Sequence, residues 1–438
     1  MKLYRSPGYK NRVESFVSEA GYLKELESRS TLPDGFRCAT ASLEFFPRER
    51  TVTSPLPMNL ALILLDEPSP DFAAVFTKNR FPGAPVLVGR RRLTENAIRG
   101  VLVNNKISNV CAPHGEEDAQ ALLRALGVLV DAPAEGFFAA STGIIGWGLP
   151  LHEMEETLPR LVAGLGGGSI LPVARAIMTT DAFPKVRRAS VGKGTIVAVA
   201  KGAGMIEPNM ATMLCFACTD VAVPRKALRE DLAWCVERSL NRISVDSDQS
   251  TSDTAILLSS GRRGPCTRED FRRGLLEVLS GLAFDIMRNA EGVGHVVRVK
   301  VGGTANERTA VSVARAIVNS PLVKTAIFGN DPNVGRIVSA VGDYMGNAGE
   351  PFDPAAMTVR MGGIDIFAAG SFRLDSDREE KLNQYLKERA LDSKRPPWPQ
   401  HDRTVDIEVI LGTSPASVEV LGSDLSYEYV SENADYRS

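Results

Sequence analysis

The sequence predicts a layered α/β protein, with sheets sandwiched between helices. Two observations predict it. Short apolar runs such as NLALILL (59–65) and GTIVAVA (194–200) read as strands. Between them lie segments with apolar residues at helical spacing, such as Leu228, Leu232, Val236 and Leu240.

The elements follow in order. Residues 1–30 are polar and predict an added helical arm. Strands are expected at 59–65, at 73–77, at Val86-Leu87-Val88 and at VLVNN (101–105). From Gly115, GEEDAQALLRALG places acidic residues ahead of Leu122, Leu123 and Leu126, a helix with a favourably charged start. GLGGG (164–168) reads as a surface loop; no Gly-Lys-Ser/Thr follows, so it is not a phosphate cradle. Helices are expected at 224–243, near 268–288 and near 307–319. HVVRVKV (295–301) alternates, a strand with one wet side. Residues 377–400 read as a charged helix and an exposed Pro-rich excursion, and 404–412 as another strand. No internal repeat is visible.

Composition excludes several function classes. The 438 residues carry 51 Lys+Arg against 53 Asp+Glu, a net charge of −2. That balance argues against nucleic acid or an anionic membrane as a partner. The longest obvious apolar run, Leu60–Leu65, falls far short of the ~20 residues a bilayer span needs. The first 30 residues mix both charge signs and lack the apolar core of a secretory signal, so a cytoplasmic protein is expected. Six cysteines make no disulfide scaffold in a chain of this length. Cys215 and Cys218 form a CxxC without a second ligand pair and read as small buried thiols. His114, His152, His295 and His401 share no ligand spacing, so no metal is expected.

The stretch KGAGMIEPNMATMLCFACTD (201–220) sets a hydroxyl, Thr212, among apolar neighbours at the head of a buried strand. Gly202 and Gly204 allow close backbone approach. The PNMAT tract reads as a tight turn, and the small Ala211 leaves the Ala211–Thr212 carbonyl open to attack. Attack by the Thr212 hydroxyl on that carbonyl, followed by hydrolysis, would free an amine on Thr212. The amine would then serve as base for its own hydroxyl, with no histidine needed. On pattern alone, a β-branched strand residue bonding a neighbouring carbonyl is the simpler account.

The wider sequence adds support. KGAGMIEPNMATML resembles the self-cleavage motif of the ornithine acetyltransferases, also called glutamate N-acetyltransferases. STGIIG (141–146), AIMTTDAFPK (176–185), SVDSDQSTSDT (244–254), NAEGVGH (289–295), KTAIFGNDPNVGRIVSAVG (324–342) and the tail GSDLSYEYVSENADYRS (422–438) are similar to family segments and occur in the same order. The resemblance covers residue 32 to the end. It implies an extension (1–31), an α chain (32–211) and a β chain (212–438) created by cleavage at Ala211–Thr212. It implies Thr212 as nucleophile and Thr142 with Gly143 as oxyanion hole. Thr179, Thr180, Lys201, Thr212, Glu291, Asn433 and Ser438 match substrate-binding positions, so the C-terminal tail must fold back to the site. The implied fold is the layered α/β fold of the self-processing ornithine acetyltransferases and aminopeptidases. The implied reaction passes an acetyl group from N-acetylornithine through Thr212 to glutamate, with no cofactor. An α2β2 or larger assembly is implied too.

The sequence departs from the family pattern in places. Lys106, Ile107 and Ser108 stand where small residues are usual, Val334 where Trp is usual, and His295 replaces a typical Thr or Lys. These departures bear on substrate identity more than on chemistry and leave open a paralogue with a different acyl group or acceptor. An amidohydrolase or aminopeptidase using the same nucleophile, and a binding protein without turnover, are the competing readings.

Overall fold

The computed structural model describes residues 16–207, 213–392 and 395–435. Two sheets form the centre of the main body. The first runs in the order Phe36–Phe45, Leu56–Ser69, Ile98–Asn104, Phe137–Ser141. The second runs Phe72–Phe76, Thr254–Ser259, Leu214–Thr219, Gly194–Lys201, Lys185–Val191.

Side-chain alternation shows why the central strands carry unbroken apolar runs. In Leu56–Ser69, Ala61, Ile63 and Leu65 face a core shared with the second sheet, through Val197, Phe216 and Ile256. Leu60, Leu62 and Leu64 face a separate core with the helices Gly115–Val130 and Leu151–Ala163, through Leu123 and Leu158. The far face of the second sheet packs on the helices Arg225–Arg238 and Arg268–Met287, through Leu232 and Leu279. The result is helices, sheet, sheet, helices. A strand buried on both faces has no polar side to show.

The same alternation settles the geometry of the CxxC. Cys215 faces the helices and Cys218 faces the other sheet. Residues three apart on a strand point to opposite faces, so the two thiols cannot share a metal or a disulfide. Burial pushes the Cys215 thiol up to about 12 and raises that of Cys218 as well.

A third sheet belongs to the C-terminal part. Its order is Ser371–Phe372, Ile364–Ala368, Thr358–Met361, Val405–Ile410, Val296–Gly303, Ser414–Ser423, Ile243–Ser244. Val297, Val299 and Val301 pack beneath the helices Glu307–Asn319 and Val334–Ala348, while Arg298 and Lys300 stay partly exposed. This is the expected strand with one wet side. Among the described residues, no single helix is long and apolar enough to cross a bilayer.

Four expectations are corrected. Val86-Leu87-Val88 lies in a helix, Ala84–Arg92, not a strand. Pro85 supplies the fixed φ of a first helical turn, and Arg90, Arg91 and Arg92 lie at the end where the helix dipole favours cations. The helix expected over 224–243 stops at Arg238, because Ser239 leaves helical geometry; a short 3₁₀ turn, Leu240–Arg242, leads to a strand. The 377–400 segment is not an exposed addition. The helix Ser376–Lys387 buries Leu382 and Leu386, and Trp398 packs on the core between the first two sheets. Finally, Val334 is 3% exposed in the core of the C-terminal sheet. Its difference from Trp is therefore a packing matter.

Residues 1–15 of the N-terminal arm lie outside the described residues; the part from residue 16 docks. Its helix Glu19–Arg29 is capped by Ser18, buries Tyr22 and Leu26, and the Tyr22 hydroxyl donates to the Pro184 carbonyl at 2.8 Å. GLGGG is at the surface as expected, though Gly166 bridges to Cys38 at the edge of the first sheet.

Candidate active site

Strand ends of the two central sheets meet at one corner. Phe137–Ser141 runs out into Thr142 and Gly143, which continue alongside Lys106 and Ile107. Thr142 N–H donates to the Asn104 carbonyl at 3.1 Å and Ile144 N–H to the Lys106 carbonyl at 2.9 Å. Between them, the Gly143 N–H has no acceptor among the described residues. Gly143 holds a φ of 127°, and a Cβ there would collide with the Lys106 carbonyl. Only glycine fits.

Lys201 ends the strand Gly194–Lys201, and its Nζ donates to Thr142 Oγ1 at 3.3 Å. Lys201 is the register partner of Leu214. The stretch before Leu214 is pinned on both sides. Upstream, Asp246 accepts from the N–H groups of Met205 and Ile206, both at 2.7 Å. Downstream, the Met213 carbonyl accepts from Thr254 N–H at 3.0 Å. Residues 208–212, with Ala211 and Thr212, lie outside the described residues. So does Ser438.

Beneath this corner is a carboxylate that sequence reasoning missed. Asp181 is buried and bonds Lys185 Nζ at 2.5 Å, Gly202 N–H at 2.8 Å and Thr179 N–H at 3.2 Å. It ties the threonine loop to the glycine loop. Burial opposes its ionisation, but Lys185, Lys201 and the Gly202 N–H prevail and lower it to about 2. Its signal was present in AIMTTDAFPK, an Asp beside the matched threonines with a Lys four residues on.

C-terminal residues reach the same corner. Glu291 N–H donates to the Ala203 carbonyl at 2.9 Å, and Asn433 Nδ2 donates to Glu291 Oε2 at 2.8 Å. Gly204 makes room, since a Cβ there would collide with the Glu291 carboxylate. Asn433 belongs to the helix Tyr427–Ala434, so the tail does fold back. The helix is anchored where the Ser426 hydroxyl donates to the Gly292 carbonyl at 2.5 Å and the Tyr429 hydroxyl to Asp246 at 3.3 Å.

A cleft of about 530 Å³ opens beside Gly143, within the range of small-molecule sites. Asn59, Lys106, Gly143, Thr179, Thr180, Arg395 and Glu432 are among its lining. Arg395 donates to Glu432 Oε2 at 2.6 Å and to the Asn289 carbonyl at 2.5 Å. Burial raises the Glu432 carboxyl; Arg395 counters that and Glu291 adds to it. Arg395 sits in the Pro-rich excursion, and nothing in the local pattern marked it. Of the three departures near residue 106, only Lys106 lines the cleft. Ile107 is buried in the core, and the Ser108 hydroxyl donates to the Ile144 carbonyl at 2.7 Å. His295 is buried too, between the Asp424 carboxylate at 2.7 Å and the Leu386 carbonyl at 3.2 Å.

Of the matched residues, Gly143, Thr179 and Thr180 line the cleft; Thr142 and Lys201 bond each other beside Gly143, and Glu291 pairs with Asn433, the chain neighbour of the lining residue Glu432. Fold and site together define a layered α/β enzyme with a polar cleft where strand ends of its two central sheets meet. A model of the ArgJ family matches residues 52–438. The arginine biosynthesis bifunctional protein ArgJ of Nitratidesulfovibrio vulgaris is 40% identical over 419 residues, 93% of this chain and 100% of that one. Its namesake in Geobacter sulfurreducens is 40% identical over 405 residues, 89% of this chain and 97% of that one. A solved chain of the ArgJ protein of Bacillus halodurans is 32% identical, covering 50% of this chain and 98% of its own, at a TM-score of 0.44. The chain belongs to the ArgJ family, a family of acetyltransferase enzymes.

Proposed function

We propose that the protein moves an acyl group, by default acetyl, from an N-acyl amino acid such as N-acetylornithine to an amine acceptor such as glutamate, through an ester on Thr212. One observation carries the reading. Lys201 pairs in register with Leu214, two residues after Thr212, while its amine bonds the Thr142 hydroxyl. The proposed nucleophile and oxyanion donors therefore attach to adjoining strand ends.

The chemistry runs in three stages. First, the Thr212 hydroxyl attacks the Ala211 carbonyl, the peptide bond is replaced by an ester, and water releases the chain ending at Ala211. The new amine on Thr212 has a pKa near ~7.7–8.0 before perturbation, so an uncharged fraction is available as base. Second, the same hydroxyl attacks the donor amide. Its proton passes through the Thr212 amine to the leaving amine. Negative charge on the amide oxygen is held by the Gly143 N–H and the Thr142 hydroxyl. Because Thr142 accepts from Lys201, its own proton is free to point at that oxygen. Third, the acceptor amine attacks the ester and frees the Thr212 hydroxyl. Thr179 and Thr180 line the cleft and Lys201 offers a cation for an α-carboxylate. Glu291, steadied by Asn433, offers a carboxylate for an ammonium.

Cleavage would leave chains of residues 1–211 and 212–438, associated as an αβ unit that assembles to α2β2 or larger, in the cytoplasm. No cofactor enters any step. Intact-mass spectrometry tests the reading directly. The expected result is two masses split at Ala211–Thr212, an acetyl adduct on the smaller-numbered end of the second chain after N-acetylornithine, and N-acetylglutamate when glutamate is added. A Thr212→Ala protein should remain one chain and form no adduct. Free acetate regardless of glutamate would mark a hydrolase, and a single inert chain a protein without turnover.

A further inference from the structure

We propose that Lys106 selects substrates carrying a carboxylate beyond the α-carboxylate, on the acyl chain or on the amino-acid side chain. The inference rests on the proposed acyl transfer and deepens it. Lys106 lines the cleft, and its carbonyl packs against Gly143 and accepts from Ile144. Its side chain is therefore rooted beside the position where the attacked carbonyl must sit.

Charge around the cleft points to an anion. The lining carries two cations, Lys106 and Arg395, and one carboxylate, Glu432. Arg395 pairs with Glu432 at 2.6 Å, which leaves Lys106 as the unmatched charge of the lining. Lys106 has no ion-pair partner among the described residues. An uncompensated cation in a substrate-sized cleft favours a ligand that brings the missing negative charge. The backbone points the same way. Lys106 sits at φ 70°, a left-handed conformation that disfavours any side chain. Strain of that kind persists at functional sites.

The experiment compares ratios. kcat/KM is measured for N-succinylornithine against N-acetylornithine as donors, and for glutamate against glutamine as acceptors. Wild type should prefer the carboxylate-bearing member of at least one pair. In Lys106→Met that preference should fall by about tenfold, which corresponds to ~1.4 kcal/mol of differential binding. Lys106→Arg should retain it. Lys106→Gly, whose backbone is at ease at this φ, should lose it as Met does and guards against a folding defect. Loss in the donor pair places the carboxylate on the acyl chain; loss in the acceptor pair places it on the side chain. Ratios unmoved in both pairs while transfer proceeds would overturn the role of Lys106 alone. No turnover of any pair by wild type would overturn the acyl-transfer reading, and this inference with it.

Discussion

One wall of the cleft is made of strand ends from the sandwich; the other is made of two C-terminal segments laid across it. The first wall is set by main-chain contacts. Thr142 and Ile144 bond the backbone of 104–106, and Gly143 leaves no room for a side chain. The second wall is set by a side-chain pair, Arg395 with Glu432, and next to it Glu291 pairs with Asn433. Main-chain contacts inside a packed core cannot shift without disturbing the sheets that supply them. Side-chain pairs at a cleft rim can adjust, and they govern how a ligand is held more than whether the protein folds.

The sharpest way to break this contrast is at Asp181. Asp181→Ala removes the carboxylate that joins Thr179, Gly202 and Lys185, and leaves the fully buried Lys185 ammonium unpaired. Breaking a buried pair from one side should cost about 3–5 kcal/mol, read as a lowered midpoint in urea unfolding. The same carboxylate carries a pH signature. Its folded pKa lies below the unfolded value, so its contribution to stability is full above about pH 4 and is lost as pH falls through about 2. Acid unfolding curves of wild type and Asp181→Asn should converge at the low end of that window.

Gly143→Ala is next. The added methyl meets main chain, which cannot give way cheaply, and moves the N–H proposed to hold the oxyanion. A loss of about 10²–10³ in kcat is expected, by analogy with removal of one oxyanion donor. Unchanged kcat would remove Gly143 from the site.

The second wall should respond more mildly and in a different parameter. Gly204→Ala drives a methyl into the Glu291 carboxylate, the mobile end of a side chain, so Glu291 swings away from Asn433. Melting temperature should change little while KM for the amino-acid substrate rises by about tenfold, the worth of one charge-assisted hydrogen bond. Arg395→Ala unlatches the terminal helix from the Pro-rich excursion. Its KM effect should be smaller, a fewfold, with stability falling by about 1 kcal/mol or less. If Arg395→Ala proved as destabilising as Asp181→Ala, the two walls would not differ in kind.

The sandwich was legible because both-face burial writes apolar runs such as 59–65 and 194–200, and one-face burial writes the alternation of 295–301. The helix over 84–92 was misread because three apolar residues fit either period, and only Pro85 and the arginines behind them decide. Thr142, Gly143, Lys201, Glu291 and Asn433 were legible through long motifs in order. Arg395 and Glu432 were not, since a lone Arg in a Pro-rich stretch and a Glu near a chain end look like solvated charges until a fold brings them together. Asp181 lay in plain view, but burial alone turns an ordinary Asp–Lys spacing into a structural hub.

By itself, the sequence determined the local periods, the glycines at 143 and 204, and the order of the motifs, because these depend on neighbours along the chain. Only the tertiary structure decided that Lys106, 95 residues before Lys201, shares a corner with it, that the tail closes the cleft, and that Val334 stays away from it. Those facts depend on which distant strand ends and loops are brought into contact, and covalent neighbours carry no record of that.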